Sequence, residues 1–126
     1  EEKIYGHTPE DAFLEQGPGQ NRENEKWLKV TEHANSNNPA EWRVAIIEAD
    51  IMLDELLKTL GYDGEGVGEM LKKVESSDML TLDQAWEAHK IRNRIAHSGQ
   101  EFDLSERETR RVIKLFEEVF KEFQII

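Results

Sequence analysis

The chain has 126 residues, 37% hydrophobic and 34% charged, which fits one domain with one core. Sixteen Lys+Arg against 27 Asp+Glu leave a net charge of -11, which opposes nonspecific binding to phosphate backbones and to anionic membranes. With no cysteine there is no disulfide framework, no thiolate metal site and no cysteine nucleophile, so packing alone must hold the core. The longest apolar run, Val44 to Ile47, is far short of the roughly 20 residues a membrane-spanning helix needs. The chain opens on Glu1 rather than methionine, so a processed product or fragment is expected. The expected location is cytoplasmic, or membrane-tethered if an upstream segment is missing.

In chain order, residues 1–20 read as an N-terminal extension. Gly6, Gly17, Pro18 and Gly19 interrupt it, and Thr8-Pro9-Glu10-Asp11 starts one short helical turn anchored by Phe13 and Leu14. A helical bundle domain follows over 21–126. Trp27, Val30 and Ala34 mark an amphipathic helix from Glu23 to Ala34, and Asn35 to Asn38 turn the chain. Asn38-Pro39, a cap followed by proline, opens a helix that runs to Leu60 before Gly61. Trp42, Ile46, Ala49, Leu53, Leu56 and Leu60 form its main ridge. Val44, Ile47 and Ile51 add a second, so this helix is expected to pack on two sides at the bundle centre, although Glu48, Asp50, Asp54 and Glu55 interrupt it.

The stretch from Tyr62 to Gly68 is a glycine-rich turn. It follows a helix rather than a strand and lacks the Lys-Ser/Thr of a phosphate loop. A short helix over 69–74 is expected after it. Thr81 and Gln84 form a T-x-x-Q capping box for a helix reaching about His97, with Ser98-Gly99 as its stop. Ser105 and Glu108 form an S-x-x-E box before a last helix, on which Thr109, Val112, Ile113, Phe116, Val119, Phe120 and Phe123 share one face. The fold class is therefore all-α, with four main helices and the two longest at about 39–60 and 106–123. Trp27, Trp42 and Trp86 lie on apolar ridges and read as core, while His7 and His33 are assigned to solvent.

Charge is unevenly spread. Residues 86–114 hold seven Lys+Arg against five acids, a balance of +2, which leaves -13 for the remainder. A local basic cleft for an anion is one reading; complementation of helix dipoles is the other.

Residues 89–97 read His-Lys-Ile-Arg-Asn-Arg-Ile-Ala-His. Arg92, Asn93 and His97, an Arg followed by a polar residue and then a His after four intervening residues, resemble the signature of the HEPN superfamily. There the motif sits near the end of a late helix in a four-helix bundle, as this one does across roughly residues 22–123. The resemblance implies metal-independent endoribonuclease activity, in which the 2'-hydroxyl attacks the adjacent phosphate to leave a 2',3'-cyclic phosphate and a 5'-hydroxyl. His97 would move the proton, Arg92 would hold the developing charge and Asn93 would orient either. It also implies a homodimer whose two facing motifs supply both acid and base, with RNA as substrate and no cofactor.

The alternative is a noncatalytic HEPN-like dimerisation or interaction module, for which the overall acidity speaks. Arg92 and His97 are about 140° apart on an ideal helix, whereas His89, Asn93 and His97 share one ridge. Glu48 or Asp50 is expected to pair with Arg92 and support its orientation, with His89 as a further supporting residue. The i, i+8 histidines lack the carboxylate of an H-E-x-x-H site, so no metal is expected.

Overall fold

The computed structural model describes residues 9–98 and 103–126, and side chains from Arg22 onward. Gly6, His7 and the expected stop at Gly99 lie outside the described residues. Five helices follow one another: α1 (Pro9–Ala34), α2 (Pro39–Thr59), α3 (Val67–Leu71), α4 (Leu82–Ser98) and α5 (Glu106–Glu122). The described residues contain no strand, so the architecture is an all-α helical bundle. The expected short turn near Thr8 and the separate helix from Glu23 are instead one backbone helix, α1, which at 26 residues exceeds both helices expected to be longest. Glycine and proline disfavour a helix by finite amounts, about 1 and 3 kcal/mol per residue, and good helix formers on either side of Gly17-Pro18-Gly19 outweigh them.

The ends of α2 follow from local chemistry. The Asn38 side chain accepts from the Ala40 N–H at 3.0 Å, and Pro39 occupies the first turn, where its missing N–H costs nothing. At the other end Gly61 takes φ +98°, and the Tyr62 N–H reaches back to the Leu57 carbonyl at 3.0 Å, closing the helix in a Schellman arrangement.

Helix α2 touches all four other helices and supplies the middle of the core. Ala45, Ile46, Ala49, Leu53 and Leu57 are fully or almost fully enclosed, and they face Val112, Phe116, Val119 and Phe120 of α5 and Ala85, Ala88, Ile91 and Ile95 of α4 within one cluster. Trp27 of α1 meets Phe120 edge-on at 5.4 Å between ring centroids. Two expectations are corrected here. The second ridge of α2 is not a packing face among the described residues, since Val44 and Ile51 are exposed and Ile47 is half-buried; the buried stripe instead widens on both flanks of the main ridge, with Ala45 and Met52 on one and Leu57 on the other. Leu60, placed on the main ridge, is also exposed because the helix has already turned into its cap. His33, assigned to solvent, has its Nδ1 3.3 Å from Glu41 Oε1.

The capping boxes are realised in part. Ser105 Oγ accepts from the Glu108 N–H at 3.0 Å, but the Glu108 carboxylate turns to Arg111 at 2.8 and 3.0 Å instead of back to the cap. Those bonds from Arg111 hold it below the usual carboxylate range. The start of α4 is secured from a distance. The Glu122 carboxylate, at the end of α5, accepts from the Leu80 N–H at 2.7 Å, the Thr81 N–H at 2.9 Å and the Thr81 hydroxyl at 2.5 Å. One side chain thus satisfies backbone donors at the entry to α4 and pins α5 to it.

Partial burial raises the Glu122 pKa, yet these hydrogen bonds from Thr81 and Leu80 together leave it below its ordinary value. A lowered folded-state value means the contribution is full above the ordinary carboxylate range and fades as pH falls through the folded value. Glu122→Ala should therefore cost about 1–2 kcal/mol at neutral pH. In denaturant titrations the gap from the unaltered chain should narrow in acid; a gap independent of pH would contradict the ionised cap.

Candidate functional site

The motif helix α4 crosses α2 at Asp50, whose side chain is only 5% exposed in the middle of an otherwise apolar stretch. A buried carboxylate needs partners, and α4 provides them. His89 Nδ1 lies 3.1 and 3.2 Å from the two oxygens of Asp50, and Arg92 Nε lies 3.5 Å from Oδ2. Residues 89 and 92 are three apart on α4, so one helix face delivers both to the same acid. Of the two acids expected to meet Arg92, Asp50 does so; Glu48 points the other way, exposed, into a groove between α1 and α2.

Asn93 closes the arrangement. Its Nδ2 is 3.2 Å from His89 Nε2, and its Oδ1 accepts from Arg92 Nη1 at 3.1 Å. With Asp50 ionised and the Asn93 amide turned Nδ2 toward the ring, the hydrogen bonds fit one tautomer of a neutral His89. An ionised Asp50 can only accept, so His89 carries its hydrogen on Nδ1. Nε2 is then a lone pair, which accepts from the Asn93 amide, and the amide oxygen remains for Arg92. The ring runs from Arg92 to Asn93 to His89 to Asp50, and the ion pair with Arg92 completes it. One donor is left over: Arg92 Nε is buried and makes no hydrogen bond, because its approach to Asp50 has ion-pair distance without hydrogen-bond geometry.

These four residues form one wall of a cavity of about 380 Å³, which is also lined by Ile51, Asp54 and the segment from Glu65 to Gly68. Gly68 matters for the access of the histidine. A Cβ on it would lie 3.4 Å from His89 Nε2, so any larger side chain there would cover the ring edge. The glycine-rich stretch, read as a turn from sequence, therefore also forms part of the cavity wall. Asp54, at the rim, pairs with Lys58 at 2.9 Å.

His97 takes no part in this cavity. It lies in the last turn of α4, exposed, one turn beyond Asn93. The structure thus brings Asp50, His89, Arg92 and Asn93 together and leaves His97 and Glu48 outside. Among the described residues, four of the seven cations of residues 86–114 pair with acids. Arg110 pairs with Glu106, Arg111 with Glu87 and Glu108, Lys114 with Glu117, and Arg92 with Asp50. Among the described residues no three His, Cys, Asp or Glu side chains converge as a metal-ligand set, and no helix is long and apolar enough to cross a membrane.

Comparisons with protein-family models, with curated proteins and with solved structures return no match for this chain.

The geometry makes Arg92 a structural partner of Asp50. Arg92→Ala should destabilise the fold by about 2 kcal/mol, below the 3–5 typical of a fully buried pair, because His89 still bonds Asp50 and the Arg92 side chain is one-third exposed. A melting temperature unchanged from the unaltered chain would show that Arg92 contributes nothing to holding the carboxylate.

Proposed function

We propose that this chain is a HEPN-like four-helix-bundle domain that acts as a homodimeric interaction module rather than as a nuclease in its ground state. The HEPN-like reading is supported by the order of four main helices, α1, α2, α4 and α5, with Arg92-Asn93 and His97 late on the third of them, α4. The observation that carries the noncatalytic reading is electrostatic. Among the described residues Arg92 is the one Lys or Arg on the wall of the 380 Å³ cavity, and it is already committed to Asp50 and Asn93, with Asp54 and Glu65 on the same wall. A phosphodiester entering there would meet three carboxylates for one guanidinium. Around it the whole chain carries -11.

The dimer reading rests on the exposed second ridge of α2. Val44, Ile47 and Ile51 recur at helical spacing on one face, and Ile51 stands between the cavity and the α1–α2 groove, lining both. The groove carries Lys26 and Lys29 beside Glu48 and Glu55, so its rim holds both signs. A two-fold interface places a patch on itself, and a mixed-sign rim around an apolar ridge is complementary to its own copy. The occupant we assign is thus a second copy of this chain.

One observation favours the second reading, a metal-independent endoribonuclease. His97 is exposed on the same ridge as Asn93, and Asn93 draws the Arg92 guanidinium toward that ridge. In a dimer with facing motifs, His97 would take the 2'-hydroxyl proton, its copy would protonate the leaving 5'-oxygen, and Arg92 would hold the phosphorane charge.

Two measurements test these readings. Sedimentation should find the chain dimeric, with Ile51→Glu shifting it to monomer and leaving the helical circular dichroism unchanged; a chain that stays monomeric at high concentration contradicts the dimer. Incubated with labelled mixed-sequence RNA at several salt concentrations, the chain should release no cyclic-phosphate ends above the background of His97→Ala. Cleavage that depends on His97 and survives EDTA would overturn the module reading in favour of the nuclease.

A further inference from the structure

We propose that His89 positions Arg92 through Asn93, and that it does so only while its ring is neutral. The inference concerns the partner of Arg92 and stands whether the domain cleaves RNA or not. It follows from the hydrogen count of the site. Asn93 offers one donor end and one acceptor end along this line, and both are used: Nδ2 toward His89 Nε2 at 3.2 Å and Oδ1 toward Arg92 Nη1 at 3.1 Å. The orientation of the amide is decided by His89: in the neutral ring Nδ1 donates to Asp50 and Nε2 presents a lone pair, whereas in the charged ring both nitrogens donate.

A proton added from solvent to Nε2 reverses this. The new N–H would face the Asn93 NH2, two donors together. The amide relieves the conflict by turning about χ2, so that Oδ1 accepts from Nε2–H. Its NH2 then faces Arg92 Nη1, and the guanidinium loses its acceptor. At the same time the bond from the charged ring to Asp50 becomes charge-assisted and competes with the Arg92 ion pair. Arg92 Nε is held to Asp50 by ion-pair distance without a hydrogen bond, so protonation of one ring weakens both ties of the guanidinium, turns its fork toward the 380 Å³ cavity and lowers that cavity's negative charge by one.

The charged groups that bear on the ring are Asp50 and Asp54 from α2, Glu65 from the segment before α3, and Arg92 from α4 itself. Helix α3 presents Gly68, which has no charge, and α5 contributes no residue to the cavity wall among those described. The ring is buried but lines the cavity, and Gly68 places no Cβ beside Nε2, so a proton comes to it from the cavity side.

The test is a pH titration of the isotope-labelled full chain by NMR, following the His89 ring nitrogens, the Asn93 side-chain amide and the Arg92 guanidinium, with His89→Gln to identify the ring signals. Neutral His89 should show the Nδ1–H tautomer, and the Asn93 and Arg92 signals should move with the same midpoint as the His89 ring. In Asn93→Asp a carboxylate oxygen stays available to Arg92 whether or not Nε2 carries a proton, so Arg92 should no longer follow His89. Asn93→Ala removes the link and should uncouple them too, which covers the case where the aspartate variant does not fold. An Nε2–H tautomer, a guanidinium that ignores the titration in the unaltered chain, or a ring that takes no proton before the chain unfolds would each overturn the proposal.

Discussion

A carboxylate on the most enclosed helix of a helical bundle costs several kcal/mol unless other groups replace the water it has lost. Asp50 is that carboxylate, and much of the geometry around it follows from meeting its needs. Its partners must come from a helix packed across α2 and must lie on one face, which positions 89 and 92 of α4 satisfy. Asn93 then satisfies the second ring nitrogen and one nitrogen of the guanidinium, so that the buried charge is enclosed in a network instead of a single pair. The register of α4 on α2 is thereby tied to polar chemistry at one level, while apolar packing of Ile46, Leu53, Ile91 and Ile95 supplies the burial on either side.

The same network decides what the motif can do. The Arg92 guanidinium is tied to a buried carboxylate and to an amide, and Asp54 and Glu65 stand on the same cavity wall. Arg110, Arg111 and Lys114 of the segment 86–114 pair with neighbouring acids, so the sequence balance of +2 overstates the unpaired positive charge there. Charge counted along the chain says nothing about which partner lies across the helix. What the site retains is a titratable ring within the network and an exposed histidine outside it, and these separate a resting structural arrangement from any anion-accepting one.

Much of the fold was legible because helices announce themselves locally. The Asn38-Pro39 start, the Gly61 stop and the Ser105 cap are all contacts within a few residues, and the Phe116–Phe120 face repeats at helical spacing. An acid in a core helix marks Asp50 as needing a partner, expected to be Arg92, and helical spacing puts His89 on a polar ridge with Asn93, yet the bond between Asp50 and His89 spans 39 positions and only packing could show it. The extent of α1 was missed because the breakers Gly17 to Gly19 argue for a linker on propensity alone. Thr81 illustrates another limit. Its spacing to Gln84 suggested a local cap, but the partner its hydroxyl donates to is Glu122, from the far end of the chain. The second ridge on α2 was visible as a pattern, whereas its exposure depends on how many neighbours the bundle supplies.

A double-mutant cycle between Asp50 and Arg92 measures the central claim most directly, because it isolates their interaction from the packing each residue provides. Asp50→Asn, Arg92→Met and the double variant would be compared by denaturant unfolding at neutral pH. The account predicts that the double variant loses less than the two single losses added together, by about 1 kcal/mol or more. Strict additivity would mean that the two side chains are neighbours without coupling, and the network around Asp50 would not be what sets α4 on α2.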